Sequence, residues 1–100
     1  MNMLIENNLS RIRELCNSHK VKALFLFGSA TNDSFNDASD IDLLVSFEPM
    51  EHGDYADSYF SLADQLEKVF QRPVDLVTEN SLSNPYFIRT VNKTKELIYG

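Results

Sequence analysis

Hydrophobic and polar positions change period several times along the chain, and each change marks an element. Residues 3–16 place Leu4, Ile5, Leu9, Ile12, Leu15 and Cys16 at spacings of three, four and seven, the period of one amphipathic helix. Residues 21–27 form a near-continuous apolar run ending at Gly28, which predicts a strand covered on both faces. Residues 29–36 are small and polar, with a first turn that could be helical. A second strand is expected over 40–47, closed by Glu48 and Pro49 because proline cannot continue a central ladder. The polar stretch 50–54, with Gly53, predicts a loop. Tyr55, Tyr59, Leu62, Ala63, Leu66, Val69 and Phe70 then mark a helix that Arg72 and Pro73 end. Residues 74–77 are a third short strand, 80–85 hold turn and helix-start residues, and 86–91 return to helical spacing. Leu97, Ile98 and Tyr99 make a terminal apolar cluster.

Helices alternating with strands predict an α/β (α+β) domain over residues 1–100, a small mixed β-sheet with helices packed on it. The composition, 43% hydrophobic and 24% charged, is that of an ordinary globular protein. A net charge of −6 argues against nucleic acid as a direct partner, because that affinity comes from Lys and Arg neutralising phosphates. A basic partner protein or a metal-shielded phosphate fits better. The single cysteine, Cys16, permits no internal disulfide and suits a reducing compartment as a small buried hydrophobe. Neither a basic-then-apolar leader nor a run of about 18 apolar residues occurs, so a cytoplasmic protein without membrane contact is expected.

Candidate chemistry is concentrated in residues 28–42, which hold a Gly-Ser pair, four aspartates and no basic residue. In an extended strand Asp40 and Asp42 share one face, while Ile41, Leu43 and Val45 share the other. Two strand steps span about 6.6 Å at roughly 3.3 Å per residue. Carboxylates so spaced can lean onto one hard cation; without it they repel. Asp75 projects alone from the opposite face of an otherwise apolar strand, and if that strand lies beside the first pair, three carboxylates converge. Such a cluster suits two magnesium ions clamping an in-line displacement at phosphorus. Gly28 lets the backbone approach an anion, and the Ser29 hydroxyl can donate to a phosphate.

Gly28-Ser29, ten intervening residues, then Asp40-Ile41-Asp42 resembles the GS-x10-DxD pattern of the nucleotidyltransferase superfamily related to DNA polymerase beta. The small size, the strand leading into Gly28-Ser29 and residues 39–45 look most like its minimal nucleotidyltransferase branch, with residues 74–77 at the place of the third acid. The resemblance implies that Asp40, Asp42 and Asp75 bind Mg2+ as a two-ion site, and that Asp75 also activates the acceptor hydroxyl. It implies that Gly28 and Ser29 hold the phosphates of ATP. It further implies transfer of AMP to a tyrosine of a HEPN-type toxin, with this chain the antitoxin in a homo- or hetero-oligomer. Many relatives carry Arg-Gly shortly after Gly-Ser, where this chain has Asn32-Asp33. Phosphate charge is then left to the backbone, Ser29, the metals and Lys22 or Arg72, and modest nucleotide affinity is expected. Phe35 is expected to anchor that loop.

Other residues have plainer readings. Asp33 and Asp37 read as turn residues, and the calcium-loop spacing of glycine and glutamate is absent. Tyr55, Tyr59 and Phe60 read as core and partner-facing aromatics. His19 and His52 are expected to be solvated in polar loops, and Arg89, Lys93 and Lys95 to form a solvated face. Two alternatives to the enzyme remain at this level: a binding module that neutralises its partner by complex formation alone, and a small-molecule nucleotidyltransferase completed by a second chain.

Overall fold

The computed structural model describes residues 2–31 and 39–100, with Ser29, Ala30 and Asn80 described by their backbone alone. The expectations for Asn32, Asp33, Phe35 and Asp37 lie outside the described residues. Among the described residues, four helices and four strands follow in the order α1 (Met3–Asn7), α2 (Leu9–Ser18), β1 (Val21–Phe27), β2 (Ile41–Phe47), α3 (His52–Phe70), β3 (Val74–Thr78), α4 (Pro85–Thr94) and β4 (Glu96–Tyr99). Short 3-10 turns occupy Gly28–Thr31 and Glu79–Ser81. The sheet order is β3-β2-β1-β4. β1 is antiparallel to β2 and β4, whereas β2 and β3 are parallel, so the expected mixed sheet is present. A parallel pair requires a crossover, and α3 supplies it.

Alternation along β2 sends Ile41, Leu43 and Val45 to one face, where all three are fully buried. Leu24 and Leu26 from β1, Leu76 from β3 and Ile98 from β4 join them beneath Ile12, Leu15 and Cys16 of α2 and Leu62 and Leu66 of α3. Burying each such aliphatic side chain contributes about 1.5–3 kcal/mol. The opposite face holds a smaller cluster of Phe27, Leu44 and Val91, with Phe25, Val77 and Leu82 packed around it. Helix α4 therefore covers part of that face. The expected two-sided cover of β1 holds except at Lys22, which is exposed.

Several elements differ from the sequence reading. The single helix expected over 3–16 is two, because the Asn8 side chain donates to the Leu4 carbonyl at 2.8 Å and competes with the helical backbone bonds. The loop expected over 50–54 ends early. Glu51 takes an extended conformation and its carbonyl accepts from Tyr55 N at 2.8 Å, starting α3 at His52, with Asp54 favourable at the positive end of the helix. At the other end Gln71 turns left-handed, with φ of 55°, just before Arg72 and Pro73. The terminal apolar cluster is a strand, β4, paired with β1 from Leu24 to Leu26. His19 is half-buried rather than solvated: its ring nitrogens lie 2.7 Å from the Leu15 carbonyl and 2.9 Å from Ser61 Oγ, joining α2 to α3. Lys95 lies 4.7 Å from the centre of the Phe25 ring, so the basic run is partly engaged with the sheet. No helix among the described residues is long and apolar enough to cross a membrane.

Candidate active site

The parallel register of β2 and β3 places Asp42 opposite Asp75. Register partners share a face, with neighbouring strands about 4.8 Å apart, so the two carboxylates are adjacent. On the other side of β2, Asp42 is the partner of Phe27, the last residue of β1. The chain then turns away from the sheet at Gly28, whose φ of +74° is a conformation that side chains with a Cβ disfavour. A Cβ at Gly28 would collide with the Asp42 carboxylate oxygen and stand 3.2 Å from its Cγ. Glycine is required here twice, by its dihedral and by its neighbour.

Asp40 precedes β2 by one residue and is exposed, as is Asp75, while Asp42 is half-buried. Burial, then the charges of Asp75 and Asp40, push the Asp42 carboxyl above its ordinary value of 3.8. The ionised cluster is thus held against both desolvation and like-charge repulsion. Arg72 fixes one edge: its Nη1 donates to the Ser39 carbonyl at 3.1 Å, and Ile41 N donates to the Pro73 carbonyl at 3.1 Å. The segment leading into Asp40 is therefore tied to the turn leading into Asp75. From the far face, the Tyr59 hydroxyl donates to the Leu76 carbonyl next to Asp75, and its acidity is weakened by burial, by Asp75 and by Tyr55.

The structure brings Asp42, Asp75 and Gly28 together and leaves Asp40 at the rim. Ser29 lies in the 3-10 turn directly after Gly28, its side chain outside the described set. Lys22 is not a phosphate partner, because six strand steps, about 20 Å, separate it from Gly28. Thr31 was missed: its hydroxyl donates to the Gly28 carbonyl at 2.7 Å and pins the turn. A hydroxyl three residues after a glycine that ends a strand is the local signal that could have found it.

Oxygen donors on one sheet face are the kind that magnesium takes, and a cation is what would relieve the raised Asp42. Among the described residues no three His, Cys, Asp or Glu side chains are gathered closely enough to hold an ion as they stand. The donors fit in kind, and the exposed Asp40 and Asp75 are the two with room to turn inward.

The fold recurs in known proteins. A candidate protein adenylyltransferase of Methanocaldococcus jannaschii is 34% identical over 91% of this chain and 96% of its own. A candidate minimal nucleotidyltransferase of known structure superposes with a TM-score of 0.75 at 27% identity, over 92% of this chain and 90% of its own. A chain of a toxin–antitoxin crystal structure with AMP-PNP gives a TM-score of 0.72 at 25% identity, over 93% of this chain and 73% of its own. Residues 10–100 match the family described as polymerase beta, nucleotidyltransferase, and the chain belongs to that family.

Proposed function

We propose that this chain is a magnesium-dependent adenylyltransferase that moves AMP from ATP to a hydroxyl, a tyrosine of a HEPN-type toxin, and so acts as an antitoxin. The observation that carries the reading is the Asp42–Asp75 pair on parallel strands with the Gly28 turn pressed against Asp42. The named activity of the archaeal relative and the AMP-PNP in the toxin–antitoxin neighbour support it.

In this reading the Gly28 backbone and Ser29 bind the β and γ phosphates, since a turn without a Cβ leaves its N–H groups open to an anion. Asp40, Asp42 and Asp75 hold Mg2+, two ions in the full site. The bound metal supplies neutralisation of the triphosphate and of the leaving pyrophosphate. Asp75, at the exposed side, orients the acceptor hydroxyl and takes its proton. The acceptor oxygen forms a bond to the α-phosphorus as the bond to the β-phosphate bridging oxygen breaks, and pyrophosphate departs with that electron pair. Positioning and charge neutralisation provide the acceleration. Incubating the protein and its toxin partner with Mg2+ and ATP labelled at the α-phosphate tests this. Label should appear on the toxin and vanish with Asp42→Asn; an unlabelled toxin, or equal labelling by the variant, rejects the reading.

A second reading is neutralisation by complex formation alone. The lack, among the described residues, of three acidic side chains gathered closely enough to hold an ion favours it. It requires that the double variant Asp40→Asn and Asp42→Asn still silence the partner.

A further inference from the structure

A groove runs along the outer side of β3, apart from the Gly28 turn. Two hollows of about 510 and 390 Å³ share Tyr55, Thr78 and Ser81 as walls. Phe47 and Met50 line the first, and Tyr59, Phe60 and Leu76 the second. Phe60 stands at the lip, 69% exposed, its ring edge-on to Tyr59 at 5.2 Å. A large aromatic so placed adds little to the core, yet it walls an apolar hollow.

Two further features narrow what the groove could take. The edge of β3 is partly occupied against strand addition, because Glu67 accepts from Val74 N, the Leu76 carbonyl accepts from Tyr59, and the Thr78 carbonyl accepts from Ser81. Side chains entering the hollows are therefore the better source of recognition than a backbone ladder. Exposed Glu48 lines the first hollow, exposed Glu79 lies beside its Phe47 and Tyr55 walls, and the chain has no Lys or Arg between Lys22 and Lys68. Neither carboxylate is in an ion pair among the described residues. A phosphate or an anionic lipid surface would be repelled there, and a second copy would bring the same acidic rim against it.

We propose that this groove docks an extended basic segment of a partner protein, its apolar or aromatic side chains entering the two hollows and its Lys or Arg meeting the carboxylate rim. Leu76 follows Asp75, so a segment seated in the groove leads to that carboxylate. Delivery of an acceptor hydroxyl along it rests on the transfer reading above, whereas the docking does not.

The test is selection of a random displayed peptide library on the full chain without nucleotide, followed by fluorescence anisotropy of the selected peptides. Peptides rich in Lys or Arg with an aromatic or aliphatic anchor are expected. They should bind roughly tenfold more weakly to Phe60→Ser, as loss of an aromatic anchor at an interface implies, and more weakly to Glu48→Lys and at high salt. Backbone NMR shifts should move within residues 48–60 and 76–81. Recovery of no peptides, of acidic peptides, or of peptides indifferent to Phe60→Ser overturns the proposal, as does self-association of the chain that Phe60→Ser abolishes. Asp42→Asn should bind the selected peptides as the unaltered chain does, so a failure of nucleotide transfer is read separately from a failure of docking.

Discussion

The carboxylate of Asp42 lies directly against the backbone of Gly28, leaving no room for a side chain between them. β1 and β2 are antiparallel, and Phe27 and Asp42 are partners at the last rung of that pairing. The chain leaves the sheet one residue later, in a left-handed conformation that Thr31 secures. The Gly28 turn and the Asp42 carboxylate are consequently one unit.

Gly28→Ala should therefore damage both fold and site. Holding alanine in the left-handed region costs about 1–2 kcal/mol, and its Cβ displaces Asp42 in addition. Denaturant unfolding should show at least that loss, and transfer of labelled AMP should fall by more than an order of magnitude, the scale of a misplaced catalytic group.

Asp42→Asn should separate stability from activity. The folded-state carboxyl is raised above 3.8, so the fold binds its proton more tightly than the unfolded chain does. Its destabilising effect is absent below the unfolded value, grows as pH rises through the folded value, and is fully present at neutral pH. Without metal, the variant should melt higher than the unaltered chain at pH 7. That advantage should shrink towards pH 3, while transfer is lost at every pH.

Cys16 should be inert in the folded protein. It is fully buried, and burial pushes its thiol up to about 12. Thiol-reactive dye at pH 8 should label it only through unfolding, so the labelling rate should rise with denaturant in step with the unfolded population; fast labelling in buffer alone would contradict its placement.

Leu43→Ala tests the larger core. Leu43 is fully buried between its flanking residues Asp42 and Leu44, which face the other way. Truncation should cost about 2–5 kcal/mol. The acids themselves are not removed, so low-temperature activity should persist in the folded fraction, as a temperature series of transfer rate against circular dichroism would show.

Much of this architecture was legible in the chain. The apolar run of β1, the alternation that puts Asp42 and Leu43 on opposite faces, and the proline stops after β2 and α3 all depend on residues close in sequence. Asn8 and Glu51 show where local period misleads, because one side-chain hydrogen bond or one extended residue moved a boundary that hydrophobic spacing had blurred. β4 was read as an apolar cluster because four residues are too few to show a period, and only pairing with β1 makes them a strand.

The sequence by itself determined the types of most elements, the opposite faces of Asp42 and Leu43, and the turn at Gly28 that ends a strand, since each follows from periods of two to four residues. Tertiary structure alone decided that Asp75 stands beside Asp42, that Gly28 closes on the same carboxylate, and that Tyr55, Tyr59 and Phe60 border a surface groove along β3. Strand register and helix placement join residues far apart in the chain, and they are settled by how the whole chain buries its apolar faces, which no local period encodes.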